Sequence, residues 1–186
     1  MAVRLEVAMP SFRTTGYPLS GAALLGLALL ISSAALAPGH AQEKYRTYRN
    51  ERFGVTADVP REWRSGRPPE NGDGLKFTSA DGAASISVSG SFNISDTVAE
   101  AMENEQLADD GETITYRVKQ QRVSVVSGTR GSFIFYRKAM LSCNDQIVNR
   151  VAIEYPAARK AAFDALVTHV AASLRAGRGF QSDNCN

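Results

Sequence analysis

The chain has 186 residues, 44% of them hydrophobic, with 21 Lys+Arg against 19 Asp+Glu. That near balance excludes the basic excess of a nucleic-acid binder and leaves no acidic tail. Of two histidines and two cysteines, His40 falls in the leader described below and the cysteines are expected to pair with each other, so the count does not reach the three or four ligands of a zinc site.

Residues 1–41 read as a secretory signal peptide. Arg4 and Arg13 precede an uncharged run of Leu, Ala, Gly, Ile and Ser over residues 19–37, and Gly39-His40-Ala41 offers small residues at a cleavage site before polar Gln42. The alternative is an uncleaved anchor, since about 19 apolar residues can just span a bilayer. Removing residues 1–41 takes two cationic and one acidic residue, leaving 19 Lys+Arg and 18 Asp+Glu in one ordinary domain of 145 residues. Both cysteines, Cys143 and Cys185, fall in that exported part, which predicts one disulfide in an oxidising compartment.

In chain order, residues 45–50 predict a first strand or extended arm. Phe53, Val55, Ala57 and Val59 alternate with Gly54, Thr56 and Asp58 as a second strand. Pro60 stops it, Trp63 follows as a large apolar plug, and residues 64–73 predict a mobile loop rich in Pro and Gly. Leu75 and Phe77, then Ile86, Val88 and Phe92, mark two strands joined through Asp81-Gly82, a strong hairpin signal. Ser85, Ser87, Ser89 and Ser91 share one side of the second of these. They predict an outer strand with a wet face, or a candidate ligand groove completed by the 64–73 loop.

A capped helix is predicted over residues 97–109, with Val98, Ala101 and Met102 on one side. Its acidic C-terminal end opposes the helix dipole, so it should be short. Residues 113–155 predict a three-strand meander. Ile114, Tyr116 and Val118 alternate, Phe133 to Tyr136 is apolar on both faces and is read as the central strand, and Ile147, Val151, Ile153 and Tyr155 alternate again. A parity shift places a turn or bulge near Gln120-Gln121. Pro156 opens a final helix whose apolar stripe is Phe163, Leu166, Val167, Val170 and Leu174. A flexible Gly-rich tail, residues 177–186, follows and is expected to be tied back by the Cys143–Cys185 bond.

Catalytic chemistry is sparse. His169 is the one histidine beyond the signal segment and falls on the flank of the last helix, without a local nucleophile or orienting carboxylate. No phosphate-binding, dinucleotide or nucleophile-elbow motif occurs. Carboxylate-pair hydrolysis would have to use Asp58, Glu62 or Glu70. No catalytic, cofactor-binding or metal-ligating residue is assigned.

Phe53-Gly54-Val55 followed by Val59-Pro60-Arg61-Glu62-Trp63 resembles the opening motif of the PsbP-like superfamily and its small bacterial relatives. The resemblance implies an α+β fold, a three-layer α/β/α sandwich on a mostly antiparallel sheet over residues 42–176. It also implies an accessory or docking role, and it brings no catalytic residue. The expected function is therefore an exported, non-catalytic binding module for an envelope protein, periplasmic or extracellular. A small-ligand carrier and a secreted carboxylate hydrolase are the alternatives. No cofactor and no nucleic-acid partner are expected, and membrane contact only through an uncleaved leader.

Overall fold

A computed structural model describes residues 44–181. The signal-peptide reading of residues 1–41, and Cys185, lie outside the described residues. The chain runs β1 (Tyr45–Arg49), β2 (Thr56–Pro60), β3 (Arg64–Ser65), β4 (Gly74–Thr78), β5 (Ser85–Phe92) and α1 (Val98–Asn104). It continues through β6 (Glu112–Lys119), β7 (Val123–Arg130), β8 (Phe133–Ser142), β9 (Ile147–Pro156) and α2 (Lys160–Ser173). All strand pairings are antiparallel: β1 with β2, and a seven-stranded sheet in the order β3-β4-β5-β9-β8-β7-β6. The fold class is α+β.

The expected meander has four strands, because Val123–Arg130 forms a ladder of its own between β6 and β8. The turn at Gln120-Gln121 is real: the Gln120 N–H donates to Val123 O at 2.8 Å. The middle strand is β9 rather than β8, with six of its ten residues buried. What puts it there is β5, which pairs with β9 over all eight residues from Ser85↔Glu154 to Phe92↔Ile147. For the same reason β5 is an interior strand, not the outer one its serines suggested.

Alternation divides the sheet into two faces. On the front, Phe77, Ile86, Val88, Val151, Ile153 and Tyr155 join Val55, Ala57 and Val59 of the β1–β2 hairpin and Phe163, Val170 and Leu174 of α2 in the main core. Trp63 plugs this core at 6% exposure, and its N–H donates back to Pro60 O at 3.1 Å. Tyr155 stacks on Phe163 with ring centroids 4.8 Å apart. On the back, Ala139, Leu141 and Val148 pack against Ala101 and Met102 of α1. The helix is shorter than predicted. Thr97 caps it, accepting from the Glu100 N–H, and nothing basic stands in its last turn.

The tail departs from expectation. Thr56 and Arg175 exchange two backbone hydrogen bonds of 2.9 Å, and residues beyond continue beside the turn before β2. Phe180 N–H donates to Glu51 O at 3.0 Å and Gln181 N–H to Arg52 O at 2.8 Å. Over residues 177–181 the tail is thus held by the backbone of the 50–54 turn.

The β4–β5 hairpin turns as the sequence predicts, with Gly82 at φ +73°. The Asp81 carboxylate accepts from Ser79 Oγ at 2.6 Å, from the Ala83 N–H at 3.1 Å and from Arg159 Nη1 at 2.6 Å. The Ser79 bond first, then those from Ala83 and Arg159, hold the Asp81 carboxyl well below the ordinary carboxylate range. A carboxyl whose folded pKa lies below its unfolded value stabilises the fold at pH values above the unfolded pKa, and that contribution fades as pH falls toward the folded value. Asp81→Asn should therefore lower the urea midpoint at neutral pH. The gap from wild type should narrow at about pH 3. A gap that stays constant between the two pH values would contradict the assignment.

Candidate functional site

The four serines of β5 do lie on one face, the back, but they do different things. Ser91 Oγ accepts from Arg150 Nη1 at 2.6 Å, and the same guanidinium grips Glu105, just past α1, through Nε at 2.9 Å and Nη2 at 2.5 Å. Ser91 therefore helps tie the end of α1 to the sheet. Ser85 and Ser87 instead line a groove of about 220 Å³ on the part of the back face beyond α1. Ser89 stands between, opposite Arg150 on β9. The 64–73 loop, expected as the second wall, does not line the groove. Its first two residues pair with β4 as β3, and Gly90 N–H reaches Asp73 O at 2.8 Å at the sheet end.

The wall opposite the serines comes from β6, β7, β8 and the loop after α1. Glu112, whose side chain is only 1% exposed, accepts from Arg130 Nη2 at 2.8 Å and lies 3.0 Å from Arg137 Nη2. Arg130 Nη1 reaches Glu154 at 3.1 Å, and Arg137 Nη1 pairs with Asp109. Register explains the convergence: Glu112 faces Arg130 across β6–β7, and Phe135 faces Glu154 across β8–β9. Hydrogen bonding to Glu112, with the charges of Glu154 and Asp109, holds the Arg130 guanidinium above its ordinary pKa. Two arginines thus serve three carboxylates, of which Asp109 is the most exposed at 65%.

Lys76, from β4, completes the lining. Among the described residues its ammonium makes no ion pair, and the Ser85 and Ser87 hydroxyls have no hydrogen-bond partner. The groove offers donors on one wall and a closed ionic network on the other. Such groups can hold a polar ligand; none is arranged as a nucleophile beside a base.

The hydrolase candidates are not assembled. Asp58 accepts from Thr47 Oγ1 at 2.7 Å and lies 2.9 Å from His169 Nε2, whose ring stacks on Tyr45 at 3.9 Å. The sequence showed no carboxylate for His169; β2 supplies one across 111 residues of chain. This cluster joins α2 to the first hairpin and holds no nucleophile in hydrogen-bond contact with the histidine. Glu62 borders a separate cavity with Trp63 and Asp81, and Glu70 is exposed on the loop. No group of three or more His, Cys, Asp or Glu suited to a metal occurs among the described residues.

Cys143 sits in the β8–β9 turn at φ +57°, followed by Asn144 at +51° and Asp145 at +67°. Asp145 holds Arg122 through two bonds of 2.5 and 2.9 Å and bonds Asn93 through its carbonyl at 2.9 Å. These contacts brace three successive left-handed residues, of which Asn144 and Asp145 are of the types that adopt that conformation most readily.

The fold itself is that of PsbP. Over 75% of this chain and 96% of the other, the structure matches the solution structure of cyanobacterial PsbP from Synechocystis sp. PCC 6803, at TM-score 0.53 and 13% identity. A crystal structure of the Saccharomyces cerevisiae Ran-binding protein Mog1p matches over 71% of this chain and 95% of the other, at TM-score 0.45 and 10% identity. No protein-family model matches the sequence, and the search of curated proteins returned no match.

Proposed function

We propose that the protein is an exported, non-catalytic accessory module that docks to a protein of the envelope. The observation that carries this reading is the back face of the sheet. Its ionisable groups pair with one another rather than standing ready to act on a bond, and α1 covers only one end of the sheet. The PsbP-like fold supports the same reading, since the resemblance implies accessory and docking roles. In it, the three-layer α/β/α arrangement has α2 and the first hairpin on one side and the short α1 on the other. Retention of a specific envelope protein by the immobilised mature domain tests the proposal, and repeated failure to retain one would remove it.

A second reading, a small-ligand carrier, is favoured by one observation: Lys76, Ser85 and Ser87 present to the same groove donors that are unpaired among the described residues. Native mass spectrometry of protein from its own source would show a co-purifying metabolite. The hydrolase reading has no comparable support, because Asp58 is engaged with Thr47 and His169.

Export is part of the proposal. No helix among the described residues is long and apolar enough to cross a membrane. The exported protein should begin at Gln42, and N-terminal sequencing of envelope-fraction protein decides it; an intact Met1 or Met9 terminus in the membrane pellet would mean an anchor. The Cys143–Cys185 bond would close a loop of about 40 residues, worth roughly 4 kcal/mol at most in the chain-entropy model. Non-reducing peptide mapping should find it within one chain. Free thiols in protein isolated without reductant, or a disulfide-linked dimer, would contradict it.

A further inference from the structure

The groove carries three cations, Lys76, Arg130 and Arg137, and three carboxylates, Asp109, Glu112 and Glu154. These do not have equal standing. Glu112 is sealed at 1% exposure between both arginines, and Glu154 lies on β9 beside Arg130, so both belong to the framework. Asp109 comes from the loop after α1, is 65% exposed, and reaches in to meet Arg137 with Arg130 at 3.9 Å. An exposed ion pair of this kind is weak, because water solvates both partners when it opens. Swinging Asp109 out leaves the lining with one net positive charge. It also frees Arg137 Nη1 for a charge-assisted bond to a carboxylate, while Nη2 stays on Leu107 O at 2.7 Å and Glu112 at 3.0 Å. The vacated position faces the Lys76 ammonium and the hydroxyls of Ser85 and Ser87, which have no partner among the described residues.

We propose that this groove binds a small hydroxylated carboxylic acid, its carboxylate taking the place of Asp109 between Arg137 and Arg130 and its hydroxyls meeting Ser85, Ser87 and Lys76. The inference rests on the ligand-carrier reading. A volume of about 220 Å³ is ample for several waters and suits an acid of a few carbons. The charge count selects a monoanion: a dianion would leave a net negative charge against Glu112 and Glu154. Asp109 acts as an internal competitor, occupying the arginines until the ligand arrives.

The test titrates the isotope-labelled mature domain with glycerate, with glycerol of the same carbon skeleton, and with inorganic phosphate, reading amide shifts. Glycerate should move the amides of Ser85, Ser87, Phe135 and Arg137. Asp109→Asn should tighten glycerate binding roughly two- to fivefold, the factor an exposed ion pair provides. Lys76→Gln should weaken it by a similar factor, and rising salt should weaken it in both backgrounds. Both substitutions are at exposed positions, so folding is retained. Binding of glycerol or phosphate at the groove as well as glycerate would overturn the carboxylate assignment and leave the groove reading standing. Unchanged affinity in Asp109→Asn would overturn the competitor role. No shift at these amides with any of the three probes, in wild type or Asp109→Asn, would remove both the inference and the carrier reading.

Discussion

Trp63→Ala should be the most damaging single substitution in the domain, costing about 3–5 kcal/mol. The indole is 6% exposed and sits in one cluster with Phe77, Tyr155 and Phe163, where β3's entry, the β4–β5 hairpin and the start of α2 meet. Truncation removes the transfer free energy of the ring and leaves a cavity that rigid strands on two sides cannot close. A domain of this size is stable by only about 5–15 kcal/mol, so the variant should unfold at a much lower urea concentration or fail to fold at 37 °C. Because this is the only tryptophan, unfolding must be followed by circular dichroism. His169→Ala is the control: it removes a partly exposed pair with Asp58, worth about 0.2–1 kcal/mol. If the two variants shifted the midpoint equally, Trp63 would not be the plug of this core.

The motif that suggested the family was legible because each residue in it has a local job. Pro60 ends β2, and Trp63 folds back on it within three residues. Phe53 fits where Gly90 gives it room: a methyl on Gly90 would stand 2.4 Å from the Phe53 Cβ. Hairpins joined by short turns were equally readable, as at Asp81-Gly82. What could not be read was pairing across long loops. Nothing in residues 85–92 says that they meet residues 147–154 rather than lying at the sheet edge, and that pairing moved the centre of the sheet from β8 to β9.

The groove shows the same division. The serine row was visible as a period of two. Its fate depends on what the opposite face of α1's loop and the β6–β9 ladder bring up: Arg150 takes Ser91, while Ser85 and Ser87 face the Arg130, Arg137 and Glu112 network. Those ionic residues are spread from Glu112 to Arg150 and look, one by one, like ordinary solvated strand charges. Alternation could have placed Glu112, Arg130 and Glu154 on faces, but only the register puts them on the same one. His169 failed for a related reason, its carboxylate arriving from β2 rather than from the helix.

Gly54→Ala should be the second large effect, and it should act through the tail. Gly54 has φ +75°, a left-handed conformation that costs a non-glycine residue about 1–3 kcal/mol. Its added methyl would also stand 2.4 Å from the Gly177 carbonyl oxygen and 2.5 Å from the Arg178 carbonyl carbon. Gly179, which is buried, approaches the same turn from the other side, where a methyl would meet the Gly54 nitrogen at 2.4 Å and Arg52 O at 2.5 Å. Glycine lies on both sides of this contact because backbone packs directly on backbone, so neither side can give without breaking the bonds of Phe180 and Gln181. The expected result is a lowered urea midpoint together with faster tryptic cleavage after Arg175 or Arg178. Gly72→Ala separates the two causes: Gly72 has φ +63°, but a methyl there meets nothing within 4 Å. It should show the backbone cost alone, with the tail still protected. Equal midpoints and equal cleavage rates for the two variants would mean that the tail does not rest on the 50–54 turn.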